Sequence, residues 1–192
     1  MESFLVSTAI VAVAEIGDKT QLLALVLAAR FRRPWPIIAG IFVATIANHA
    51  GAAFLGATVA DLIDSAILHW ILVAGFVAMG LWMLVPDHVD EEATPKAPRL
   101  GVFGATAVAF FLLEMGDKTQ VATVALAARY ADWMLVTMGT TLGMMLTNVP
   151  AVLIGQAATR IVPLRAVHLL AAIAFFVLAI LLAANRILGL SG

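Results

Sequence analysis

Glu15-Ile16-Gly17-Asp18-Lys19-Thr20-Gln21 is followed 99 residues later by Glu114-Met115-Gly116-Asp117-Lys118-Thr119-Gln120, and both strings sit inside apolar segments. Aligning residues 14–30 with 113–129 gives ten identities in seventeen positions, six in the polar block and four in the closing Leu-Ala-Ala-Arg. A charged side chain at the centre of a bilayer costs at least about 2.5 to 3.5 kcal/mol. Four carboxylates and two lysines kept in such surroundings therefore mark an ion or proton pathway.

The rest of the chain makes those surroundings a membrane. Of its 192 residues 63% are hydrophobic and 12% charged, and the mean hydropathy is +1.05, far from a soluble domain. There is no cysteine, which excludes disulfides and thiolate metal sites. Met1-Glu2-Ser3-Phe4 has no basic stretch and no small-residue cleavage site before the apolar run, so the N-terminus reads as a first transmembrane helix and not a removable signal.

At about 20 apolar residues per span, six helices fit, near 3–30, 36–60, 66–85, 101–129, 133–158 and 166–188. The first and fourth are longer than a straight crossing needs, and each carries a glycine in its polar block, so tilt, a kink or a local break is expected there. Pro34 and Pro36 punctuate the first connection, and Pro86 stops the third helix. Residues 86–100, with Asp90, Glu91 and Glu92 and three prolines, read as a solvated linker. The expected organisation is a first three-helix repeat over 1–85, this linker, and a second three-helix repeat over 101–192.

Basic residues orient these spans. Arg30, Arg32, Arg33, Lys96, Arg99, Arg160 and Arg165 fall on one side, and Arg129 and Arg186 on the other. The positive-inside rule makes the first side cytoplasmic, with the linker there and both termini outside. Because each half has three helices, the two motif copies enter the membrane from opposite sides. That is the inverted-repeat plan of many secondary transporters, with ion sites near the midplane between repeats.

On a continuous helix Glu15 and Asp18 share a face, as do Glu114 and Asp117. A pseudo-two-fold would bring all four carboxylates together. Gln21 and Gln120 could add amide carbonyls, and Thr20 and Thr119 hydroxyls. Such an all-oxygen set suits Ca²⁺, Mn²⁺ or Mg²⁺ better than Zn²⁺ or Cu⁺. Against Lys19 and Lys118 the four acids leave a formal −2, which one divalent ion or two protons would cancel, making the two alternate occupants. Each lysine has the spacing of an intrahelical pair with Glu15 or Glu114, or it could reach the opposite repeat, or compete with the metal. A buried salt bridge serving structure alone would leave the repetition of Asp, Thr and Gln unexplained.

Further candidates lie on the second helix of each half. Asn48 and Asn148 could be oxygen ligands or interhelical hydrogen-bonders. His49 matches Asn148 at the 99-residue offset and could relay protons, bind through nitrogen, or only pack. Pro150 should kink the fifth span, where the second has Gly51. Met115, Met144 and Met145 read first as packing residues. His69, His88 and His168 and Trp35, Trp70 and Trp133 read as interfacial, and Gly40, Gly56, Gly139, Gly143 and Gly155 as close helix contacts.

With EIGDKT and EMGDKT in place, the chain resembles the small membrane proteins that carry two ExGD[KR][ST] signatures, the GDT family of the calcium/cation antiporter superfamily. The resemblance covers essentially the whole chain and is greatest toward the family's bacterial manganese exporters. It implies a cation site of Glu15, Asp18, Glu114 and Asp117 and Mn²⁺ export in exchange for protons, with Ca²⁺/H⁺ exchange as the nearest alternative. It also implies a bacterial inner (plasma) membrane location. The transported ions would be Mn²⁺, or Ca²⁺, and H⁺, with no tightly bound cofactor. The partners would be the metal ion and the lipid bilayer, with a homodimer compatible and no nucleic acid.

Two rival carriers of cargo are a passive divalent-cation channel and an amino-acid exporter of the lysine-exporter type, which has no need of paired acidic motifs. An enzyme is disfavoured: there is no HExxH zinc motif, no GxSxG elbow, and GDKT lacks the upstream glycine of a phosphate-binding loop.

Overall fold

The computed structural model describes residues 1–85, 101–154 and 164–188. The expected linker 86–100 with Pro86, His88, Lys96 and Arg99, the end of the fifth span with Gly155, and Arg160 lie outside the described residues. Eight helices are described: α1 (Glu2–Glu15), α2 (Lys19–Phe31), α3 (Pro34–Leu62), α4 (Ser65–Met83), α5 (Gly101–Glu114), α6 (Lys118–Tyr130), α7 (Trp133–Ile154) and α8 (Leu164–Ile187).

The chain is an all-helical integral membrane protein. Helices α3, α4, α7 and α8 are each long and apolar enough to cross a bilayer, and α5 is a shorter apolar helix. Large apolar side chains such as Phe42, Phe54, Leu112, Leu146 and Ile180 stand exposed, as they do when the surrounding solvent is hydrocarbon. The first and fourth expected spans are not single helices. Each is two helices separated by a break at the motif, so the expectation of a shared helical face for Glu15 and Asp18, and for Glu114 and Asp117, is corrected: helix ends at the glutamate and restarts after the aspartate.

Every helix of the second half begins 99 residues after its counterpart, from Glu2 and Gly101 to Ser65 and Leu164. The ends repeat too. Arg32 and Ala131 both take left-handed backbone, at φ 51° and 50°, and donate their N–H to the Ala28 and Ala127 carbonyls. Local punctuation follows ordinary rules: prolines occupy the first turn of α3, and the Asp64 side chain accepts the Ala66 and Ile67 N–H groups at the start of α4. Pro150 lies inside α7 without ending it.

The halves are interleaved. Helix α1 packs on α7 and α5 on α3, while α3 meets α7 and α4 meets α8. Glycines make the crossed contacts close. A methyl group added at Gly139 would lie 2.5 Å from the Phe4 carbonyl oxygen, and one at Gly40 would lie 2.8 Å from that of Phe103, the residue 99 further on. Two apolar cores result. One gathers Ile10, Phe76, Met79, Leu126 and Phe175 from α1, α4, α6 and α8; the other gathers Leu23, Leu27, Ile37, Ile41 and Phe110 from α2, α3 and α5. Each helix break, with its motif copy, lies between a helix of one core and a helix of the other.

Candidate metal centre

The motif first builds a turn. After Glu15, Ile16 is extended and Gly17 takes φ +83°, a conformation that costs L-residues with a Cβ about 1 to 2 kcal/mol. Asp18 is then extended, at φ −74° and ψ 167°, and starts α2 as its N-cap. The second copy repeats this, with Gly116 at φ +75° and Asp117 at φ −76° and ψ 164°. Each turn is closed twice. Asp18 and Asp117 N–H donate to the Glu15 and Glu114 carbonyls at 3.1 Å, and Gly17 and Gly116 N–H donate to the Gln21 and Gln120 side-chain oxygens at 2.8 and 2.7 Å. The glutamines thus hold the breaks, a task the sequence reading had not given them. The signal was available as Gly-x-x-x-Gln in both copies.

Breaking the helix frees the acids to converge. One carboxylate oxygen from each of Glu15, Asp18 and Asp117 lies within 4.8 Å of the others, and all three residues are buried. Neither aspartate makes a side-chain cap bond to the helix it begins, although the start of a helix carries partial positive charge that favours an anion. Thr20 donates to Glu15 Oε2 at 2.5 Å and Thr119 to Asp117 Oδ2 at 3.0 Å. Glu15 Oε1 is fully buried and has no hydrogen-bond partner among the described residues. A buried carboxylate oxygen left without a donor is costly, and a hard cation is the partner this oxygen-only set fits.

Of the four carboxylates expected to converge, three lie within 4.8 Å of one another. Glu114 lies outside the trio: its Oε1 is 2.7 Å from His49 Nε2, at ion-pair distance without the alignment of a hydrogen bond, and its Oε2 accepts from Asn48 at 3.3 Å. Asn48 also donates to the Phe111 carbonyl at 3.0 Å. In the other half Asn148 donates to the Met144 carbonyl and sulfur at 3.1 and 2.9 Å, and its own Oδ1 is buried without a partner among the described residues. Gln21 donates to the Thr147 carbonyl at 3.3 Å.

Each lysine meets a partner beyond its own helix. Lys19 Nζ crosses to the other half and lies 2.8 Å from Asp117 Oδ1. Lys118 Nζ donates to the Val85 carbonyl at 2.7 Å, just beyond the end of α4. Glu15, Asp18, Asp117 and Lys19 together carry a formal −2, the charge one divalent cation cancels.

The profile of a family described as "Divalent cation/proton antiporter GDT1" matches residues 3–91 and 102–188. A Vibrio cholerae protein named "Putative manganese exporter" is 50% identical over 183 residues, covering 94% of this chain and 90% of its own. A GDT1-like protein of Synechocystis is 28% identical over 200 residues, covering 94% of this chain and 96% of its own. No solved structure matches the chain significantly.

Proposed function

The chain belongs to the divalent cation/proton antiporter family, and on that premise we propose that it exports Mn²⁺ from the cytoplasm in exchange for protons. Transport of divalent cations is the family's activity; the choice of Mn²⁺ draws on the name of the Vibrio relative. The observation that carries the reading is the buried trio of Glu15, Asp18 and Asp117, with carboxylate oxygens within 4.8 Å of one another at two helix breaks. Glu114 is held apart from it by Asn48 and His49, and Gln21 and Gln120 fix the turns that aim it.

In this reading the six crossings comprise the two broken helix pairs, α1 with α2 and α5 with α6, together with α3, α4, α7 and α8. They form two inverted repeats, residues 1–85 and 101–192, joined on the cytoplasmic side by 86–100, in a bacterial inner membrane with both termini outside. The arginines after α2 support that orientation. Mn²⁺ binds the carboxylates from one side, and protons take its place after release on the other, so that the site crosses only with its charge balanced. A charged, unbalanced site would face the low-dielectric interior at high cost.

Purified protein in liposomes with an internal pH dye tests this directly, with Mn²⁺, Ca²⁺, Mg²⁺ and Zn²⁺ added in turn. The expected result is saturable proton movement opposite to Mn²⁺. Metal entry without proton movement would replace the exchanger by a channel, and silence toward every ion would reopen amino-acid export.

A further inference from the structure

We propose that Lys19 sets the valence selectivity of this centre, by competing as a tethered monovalent cation for Asp117. The inference rests on the reading of Glu15, Asp18 and Asp117 as the cation site. Lys19 begins α2 in the first half, yet its ammonium lies 2.8 Å from Asp117 Oδ1 in the second. The two partners differ in access: the Lys19 side chain is 21% exposed and that of Asp117 is 1%. The ammonium therefore reaches a buried acid from a partly open flank, on a flexible four-carbon stem.

A compact ammonium is a point charge with the valence of an alkali ion, carrying three rotatable donors. A monovalent ion arriving at Asp117 would gain only what Lys19 already supplies, and would still have to shed its water. A divalent ion brings twice the charge to three clustered carboxylates and gains more from each of them. It can take Asp117 Oδ1 while the ammonium withdraws along its stem. With Lys19 still nearby, three carboxylates, one ammonium and one divalent ion sum to a formal charge of zero. After release the ammonium returns to Asp117, so the acid does not sit buried and uncompensated.

A competitor and a structural salt bridge predict opposite signs for loss of the lysine. Removing a structural partner leaves a buried charge alone, lowers stability and disorders the site, so metal binding weakens. Removing a competitor strengthens metal binding.

The test is equilibrium Mn²⁺ binding by titration calorimetry on the purified full-length protein, in choline chloride and in sodium chloride at equal ionic strength. For wild type, replacing choline by Na⁺ should leave the Mn²⁺ Kd unchanged. For Lys19→Gln, the Kd in choline should fall about tenfold, the effect of losing one charge-assisted competitor, and Na⁺ should raise it again. Lys19→Arg, which keeps the charge, should behave as wild type. Mn²⁺ binding by Lys19→Gln that is unchanged or weaker, or that ignores Na⁺, overturns the inference while the cation site stands. No Mn²⁺ binding by folded wild type overturns the site itself. Should Lys19→Gln not fold, wild type still decides: amine-reactive labelling of Lys19, read by peptide mass spectrometry, should rise on adding Mn²⁺, and an unchanged or lower yield refutes the displacement.

Discussion

The two copies of the seven-residue motif have the same turn and different company. In the first copy Glu15 faces Asp18 and Asp117, and one of its oxygens has no donor among the described residues. In the second, Glu114 faces His49 and Asn48. The backbone is the same to within a few degrees at the glycines and aspartates, so the motif does not decide what its glutamate does. The helix crossing in front of it decides. Helix α3 presents His49 to Glu114, and α7 carries Asn148 in the register of His49. A duplicated element has kept its geometry while its two acids have been given separate surroundings, one beside two further carboxylates and one beside a histidine and an asparagine.

The sharpest way to break this comparison is to remove the acid shared between copies. Asp117 belongs to the trio, holds Lys19 and accepts from Thr119. Loss of a partner one shell out typically costs about 10 to 100-fold in metal affinity, and Asp117→Asn, which removes a ligand, should exceed this and abolish Mn²⁺-coupled proton movement in liposomes. The protein should still reach the membrane and elute as one species. Asp18→Asn should match it. Normal transport by either variant would mean that the trio is not the cation site.

Next in size comes the histidine. His49→Asn gives the second copy the residue that stands in the first, and Asn148→His does the reverse. We expect His49→Asn alone to slow proton-coupled Mn²⁺ flux about tenfold, the scale of a lost outer-shell partner. The double exchange tests whether the histidine must face Glu114 or only one of the two glutamates. Recovery in the double variant would make the copies interchangeable; continued loss would fix the asymmetry to this half. Liposome flux at fixed pH gradient reads both.

The repeated motif and the helical class were legible because they depend on residue type and spacing alone. The 99-residue offset between the motif copies is also the offset between every pair of helix starts, and of the tilt, kink or break that a mid-span glycine suggests, the structure has the break. What could not be read was set by tertiary approach. Glu15 and Asp18 were placed on one face because i and i+3 share a face on an intact helix; the left-handed glycine between them removes that premise. Spacing puts Lys19 within reach of Glu15, but only the crossed packing of the halves brings it to Asp117. The departure of Glu114 from the acids depends on His49, 65 residues away in sequence, and no local pattern announces it.

The lysines offer a smaller contrast. Lys118 is buried and holds the carbonyl of Val85, two residues past the end of α4, where the chain has left the helix and its carbonyls need other partners. Lys118→Gln should therefore act mainly on stability, losing about 1.5 to 3 kcal/mol if the charged hydrogen bond is not replaced. The thermal midpoint in detergent should drop by several degrees. A Lys118→Gln variant as stable as wild type would mean that this bond does not secure the end of α4.

The smallest effects are expected at the glycines, and they separate the turn from the site it carries. A Cβ at Gly116 meets open space, so Gly116→Ala should register only the backbone cost of φ +75°, about 1 to 2 kcal/mol. Asn tolerates this region better than Ala, so Gly116→Asn should recover part of that loss, and the order Gly, Asn, Ala in thermal midpoint would identify the left-handed turn without reference to transport. At Gly17, beside Glu15 and Asp18, the same backbone penalty applies at φ +83°. There a shifted turn also displaces two members of the trio, so Gly17→Ala should raise the Mn²⁺ Kd while Gly116→Ala, adjoining Glu114 and Asp117, disturbs only one. If the two alanine variants lose affinity equally, the turns are coupled through Asp117, and the cation centre depends on both copies to the same degree despite the unequal company of their glutamates.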